Sequence, residues 1–155
     1  MSVTFYVAKE RVETRDDRPI ITHHPVYPAG FDPRQVIDTP EYGPLYADNP
    51  WSMNVTNDNA VQLLLLLRQE PYTDAGLVGT ISNLAGFIEA CDSVLETMRS
   101  FSSLDSGTPP TETGGAGGCR MIRCGIPAHY LQRRVSELRA LAETAISVEG
   151  VINYA

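Results

Sequence analysis

A chain of 155 residues fits one domain, and a domain of that size buries about 70% of the surface its unfolded chain exposes. Nineteen acidic residues against twelve basic ones give a formal charge of -7, so a polyanion would meet net repulsion and nucleic acid is excluded as the expected partner. The composition is 43% hydrophobic and 20% charged, with no apolar run of the roughly 18 residues needed for a membrane span and no secretory signal at the start. A soluble protein with a cytoplasmic location is the expectation.

The first segment, VTFYVAK, alternates Val3, Phe5 and Val7 with Thr4 and Tyr6, the period of a half-buried strand. RPIITHH, from Arg18, is expected to pair back onto it across ERVETRDDR, so residues 1–24 read as a hairpin that must lean on later helices. Residues 25–50 hold six prolines interleaved with Tyr27, Phe31, Tyr42 and Tyr46. Proline denies both helix and central strand, which predicts an extended arm, and the four rings predict that it is pinned to a surface.

Residues 51–101 read as two helices. Thr56, Asn57 and Asp58 are candidate N-caps for a helix whose five consecutive leucines, Leu63 to Leu67, cover every face, the pattern of a central helix enclosed on all sides and ended by Pro71. After the turn PYTDAG, a second helix is predicted over 80–101. Its apolar stripe is Ile81, Leu84, Ile88, Cys91, Leu95 and Met98, flanked by Phe87, Val94 and Phe101. Residues 102–118 contain five glycines and two prolines and read as a flexible loop in which no packed element forms. Residues 119–155 then read as a short strand (CRMIRC), a helix over 128–147 opened by Pro127, and a closing strand in GVINY. That last helix buries Leu131, Val135, Leu138, Leu141 or Ala142, and Ala145. It carries Arg133, Arg134, Glu137, Arg139 and Glu143 at ion-pair spacing on its outer face. The expected fold is a single α+β domain over 1–155: three main helices, a small mostly antiparallel sheet and a Pro-rich arm.

From Asn49 onward the pattern resembles a group of uncharacterised bacterial proteins. They share an N-x-x-N-x-N-A start to a Leu-rich helix (here NVTNDNAVQLLLLL), a second helix opening near G-x-[IL] (GTISNL), a G-x-P-x-Y-[IL]-x-x-R-[LV]-x-x-L helix (GIPAHYLQRRVSEL) and a short terminal strand (NYA). The resemblance covers the last two-thirds of the chain. It implies architecture and no activity. Eleven of the twelve basic residues being Arg points the same way, to a bacterial or bacteriophage gene.

Candidate chemistry is sparse, and no catalytic residues stand out. Cys119, Cys124 and His129 form C-x4-C-x4-H, with Cys91 as a fourth candidate, and zinc takes such a Cys3His set tetrahedrally. The same Cys124 and His129 are the pair a thiol enzyme would use, since a cysteine before a helix start has a lowered pKa. His23 and His24 are adjacent on a strand and face opposite ways, so they do not share an ion. Trp51, Asn54, Asn57 and Asp58 form a candidate polar pocket for a small ligand, against the plainer reading of Trp51 as a packing anchor and the polar cluster as a helix start. The expected role is a non-enzymatic interaction or accessory protein. A homodimer is expected over a monomer because three apolar helix stripes exceed what a two-stranded sheet can cover.

Overall fold

A computed structural model describes residues 2–39, 43–46, 49–73, 76–101, 107, 111–114, 120–123 and 127–155. Among them the elements run β1 (Ser2–Arg15), β2 (Arg18–Pro25), β3 (Val36–Thr39), β4 (Gly43–Tyr46), β5 (Ser52–Thr56), α1 (Asn57–Leu66), β6 (Gly79–Ile81), α2 (Leu84–Ser100), β7 (Thr111–Gly114), β8 (Arg120–Arg123), α3 (Tyr130–Ser147) and β9 (Val151–Tyr154). The α+β class holds. The sheet has five antiparallel strands, β5 and β6 among them unexpected from the sequence, in the order β2-β1-β9-β6, with β5 also paired to β1.

The organising element is β1. Its 14 residues span about 46 Å at ~3.3 Å per residue, far longer than the four-residue β9 beside it. On one edge β9 pairs with Phe5 to Ala8. On the other, β5 pairs with Ser2 to Tyr6 and β2 with Ala8 to Arg15, end to end. The junction is Val7, whose N–H donates to Trp51 O at 3.1 Å and whose carbonyl accepts from Val26 N at 2.9 Å. The terminal strand β9 thus becomes an interior strand, flanked by β1 and β6.

Alternation sends Val3, Phe5, Val7, Met53, Val55, Ile81, Ile152 and Tyr154 to one face, all at most 7% exposed. The helices cover that face: α3 lies against β1, β5 and β9, and α2 packs on α3. From α2 come Leu84, Phe87, Cys91 and Leu95, and from α3 Val135, Leu138, Leu141, Ala142 and Ala145. This sheet removes the stated premise for dimerisation, because five strands rather than two receive the helix stripes.

Several expectations need correction. Residues 10–15 of the charged stretch ERVETRDDR are strand, because cross-strand backbone pairing asks nothing of side-chain polarity. Its turn, Asp16 and Asp17, has φ of 50° and 61°, the left-handed pair of a two-residue hairpin loop matched to strand twist. The second helix starts at Leu84, since Gly79–Ile81 is a strand on β9 and Asn83 caps the helix by accepting from Gly86 N at 3.2 Å. Thr111–Gly114, inside the stretch expected to form no element, pairs with Arg120–Arg123. The last helix begins at Tyr130, three residues after Pro127.

The leucine block is not enclosed on all sides. Leu63, Leu64 and Leu67 are fully buried, whereas Leu65 is 59% and Leu66 39% exposed, so α1 lies on the surface with one face inward. Thr56 takes the N-cap position in extended geometry (φ -61°, ψ 150°) without a side-chain cap hydrogen bond. Asp58 stays exposed in the first turn, where a carboxylate meets the positive helix end. In the Pro-rich segment Tyr27 and Phe31 stack on each other, ring centres 5.5 Å apart, and Trp51 packs against the core. Tyr42 lies outside the described residues.

Candidate functional site

The outward face of the sheet carries the polar half of the same alternation: Thr4 and Tyr6 from β1, Asn54 from β5, Thr80 from β6 and Asn153 from β9. Asn153 Nδ2 donates to Tyr6 Oη, and Thr80 Oγ1 donates to Asn153 Oδ1 at 2.9 Å. Thr80 Oγ1 also meets His23 Nε2 at 3.2 Å, and that nitrogen lies 3.3 Å from Glu10 Oε1. His23 stands on β2, three strands from β6 in the sheet order. On a flat sheet that is ~14 Å, at about 4.8 Å per strand, more than two side chains lying along the face can bridge. The β1–β2 ribbon therefore curls over the outward face at its root, and Ala8 beneath it is fully buried.

Threonine, histidine and glutamate within hydrogen-bond reach invite comparison with a nucleophile relay. In such a relay one ring nitrogen takes the hydroxyl proton while the carboxylate orients the other nitrogen. Here Thr80 and Glu10 share Nε2, and the Thr80 proton is directed to Asn153. The cluster is a clasp holding the ribbon down, without an activated hydroxyl. His24, on the opposite face of β2, bonds Glu13 Oε1 at 2.8 Å and Thr22 Oγ1 at 3.1 Å. The His24 hydrogen bond is the main reason the Glu13 carboxyl is held below its ordinary value.

Beyond the clasp the ribbon becomes a free arm. Residues 9–15 are all exposed, and the cross-strand pair Val12 and Ile21 stands 74% and 64% exposed. The two edges of this arm differ. Because Val26 N–H donates to Val7 O, Val7 N–H points to the same edge at Trp51 O, and the register is unbroken, odd residues of β1 and even residues of β2 point their amides inward. On β2 the outward amide positions include Pro19 and Pro25, which have no N–H to offer another strand. On β1 the outward positions are Glu10, Val12 and Thr14. Pairing with β9 ends at Ala8, so among the described residues no strand lies beside them.

The sequence-predicted residues separate. Trp51 and Asn54 do come together, along a cleft of about 410 Å³ whose opposite wall is Arg134 and Glu137 of α3. Arg134 Nη1 donates to Glu137 Oε2 at 2.7 Å, and its guanidinium sits 5.3 Å from the Tyr130 ring centre. Burial disfavours the charge, but the Glu137 and Tyr130 bonds outweigh it and hold the Arg134 pKa above its ordinary value. Arg134 Nε is buried without a hydrogen-bond partner among the described residues. Asn54 turns its amide to Thr4 Oγ1 at 3.0 Å. Asn57 and Asp58 belong to the first turn of α1 and do not line this cleft. Their neighbour Asn59 donates to Tyr130 Oη at 3.2 Å, a tie between helices that periodicity could not have found.

Of the metal or thiol set, Cys91 is a fully buried member of the core, and burial pushes its thiol up to about 12, so it carries no thiolate at neutral pH. His129 is exposed with φ of 61° just before α3 and makes no side-chain cap bond. Cys119 and Cys124 lie outside the described residues, and among those described no three His, Cys, Asp or Glu side chains are placed to hold a metal ion. Nor, among the described residues, is any helix long and apolar enough to cross a membrane. In comparisons with known proteins, no family model, no curated protein and no solved structure matches the chain.

Proposed function

We propose that this chain is a non-enzymatic interaction protein of a bacterium or bacteriophage, and that the β1–β2 arm is the element that meets its protein partner. The observation that carries the reading is the pair Val12 and Ile21, apolar and exposed on the distal part of a two-stranded ribbon. A ribbon of two strands is marginal in water by itself, and apolar cross-strand pairs on it gain stability only when something covers them. The arginine-rich basic set and the likeness to the bacterial group support the origin. The formal charge of -7 favours protein over nucleic acid, and the free Cys91 thiol suits the cytoplasm. A photo-crosslinking residue placed at Val12 or Ile21 tests the arm in cells of its source, with the 49%-exposed Ile146 on α3 as control. Discrete adducts at the two arm positions and none at Ile146 are expected. Equal labelling at all three, or none, refutes the reading.

A second reading rests on the Trp51 cleft. The Arg134 guanidinium and the Trp51 indole line one cleft, a cation and a ring that together suit a small organic anion. Quenching or a shift of the single tryptophan's fluorescence on titration with small carboxylates, lost in Arg134→Gln, would support it. An unchanged spectrum across the series would end it.

A further inference from the structure

We infer that the partner of the arm is a second copy of this chain, joined by antiparallel pairing of the open β1 edges about a two-fold axis through Val12. The inference rests on the arm being the interaction element. It names the occupant from the pattern of charge and amide direction on residues 10–14.

A two-fold axis normal to a sheet pairs residues whose numbers differ by an even amount, because opposed side chains share a face. Placing Val12 on the axis opposes Glu10 to Thr14, Arg11 to Glu13 and Val12 to its own copy. Glu10, Val12 and Thr14 are the outward amide positions, so the three pairs they form all exchange hydrogen bonds. Two Arg11–Glu13 ion pairs then flank the axis on one face. On the other face Val12 and Ile21 of both copies meet in one apolar patch, covering the side chains that stand 74% and 64% exposed in a single chain. Centring on Arg11 or Glu13 instead places two like charges against each other on the axis, and centring on Thr14 runs the ladder into the Asp16–Asp17 turn after one residue. The Val12 register has one like-charge pair at each end, Lys9 with Arg15, on long side chains that remain solvated. The β2 edge cannot offer the same ladder, since Pro19 and Pro25 interrupt its donors.

The test is the mass of the purified protein in solution at about 100 μM, by sedimentation equilibrium or light scattering. The wild type is expected at twice 17.0 kDa. Val12→Pro removes an amide that points away from β2, so it should keep the native circular dichroism and a cooperative unfolding transition while giving a monomer. Arg11→Glu turns both flanking ion pairs into carboxylate against carboxylate and should weaken association about tenfold or more. Arg11→Glu with Glu13→Arg restores opposite charges across the axis and should recover wild-type association. A monomeric wild type overturns the inference, as does a dimer indifferent to Val12→Pro or a folded double variant that fails to recover. A monomer that still gives one discrete heterologous adduct at position 12 overturns self-pairing and leaves the interaction reading standing. A monomer with no adduct removes both.

Discussion

Gly79 and Tyr154 face each other across β6 and β9, and the phenol occupies the space a side chain would need. A Cβ built on Gly79 falls 2.4 Å from Tyr154 Oη and 2.6 Å from Cζ, distances that real Cβ atoms do not show. Tyr154 is 4% exposed, tilts against Phe5 with ring centres 5.5 Å apart, and donates to Glu70 O at 2.7 Å, tying the sheet to the segment after α1. In Gly79→Ala the ring must therefore move. Overpacking costs about 1–3 kcal/mol, and losing the buried hydrogen bond adds about 1 kcal/mol, for a total near 2–4 kcal/mol. With a urea slope of about 1–3 kcal/mol/M the midpoint should fall by roughly 1–2 M. Tyr154→Phe alone should cost about 1 kcal/mol through the Glu70 bond. Because Gly79→Ala already breaks that bond, the double variant should cost about 1 kcal/mol less than the sum. Urea unfolding of the four proteins decides it. A neutral Gly79→Ala, or strictly additive costs, would refute the claim that glycine is here to admit the phenol.

Neighbouring leucines should diverge: Leu64→Ala, fully buried, is expected to cost about 2–5 kcal/mol, and Leu65→Ala, 59% exposed, under about 1 kcal/mol, both read by urea unfolding. With its thiol pushed up to about 12, Cys91 should escape iodoacetamide at pH 8 in the native protein and react once unfolded, as resolved by peptide mass spectrometry. Glu13 is held below its ordinary value of 4.5, so its bond to His24 steadies the arm above about that pH and is lost as pH falls through the lower folded value. A carboxyl NMR titration should show that depression, and His24→Gln should return Glu13 toward 4.5.

The helices are legible because their stripes follow one period over three or more turns, and α2 and α3 bury nearly the residues the spacing indicates. The strands are legible only where period 2 stands alone, as in Val3, Phe5 and Val7. At 52–56 the alternation Met53, Asn54, Val55, Thr56 is present, but ahead of five leucines it reads as the polar approach to a helix. At 79–81 the three-residue step from Ile81 to Leu84 continues a helical count across a strand end. Five consecutive leucines fit any period, so the block itself does not say that Leu65 and Leu66 face solvent. Only the tertiary position of α1 decides that. Of the candidate pocket, Trp51 and Asn54 are visible in the sequence, while Arg134 and Glu137 are hidden because an ion pair three residues apart on a helix reads as surface.

The polar run from Asn54 to Asn59 is divided among three tasks by the strand-to-helix change within it. Asn54 is still on β5 and turns outward to Thr4, Asp58 meets the amide end of α1, and Asn59 has turned far enough round the helix to reach Tyr130. A site would need those side chains to converge, and a change from period 2 to period 3.6 inside six residues spreads them instead. The arm shows the opposite economy. In β1 a single alternation serves the core over residues 3–7 and then, past Ala8, leaves both faces to solvent and one edge unguarded. Prolines guard β2 at both ends of the same ribbon. A chain that blocks one edge and leaves its neighbour open, with opposite charges either side of an uncharged Val12, has the pattern that the proposed pairing of two such edges requires.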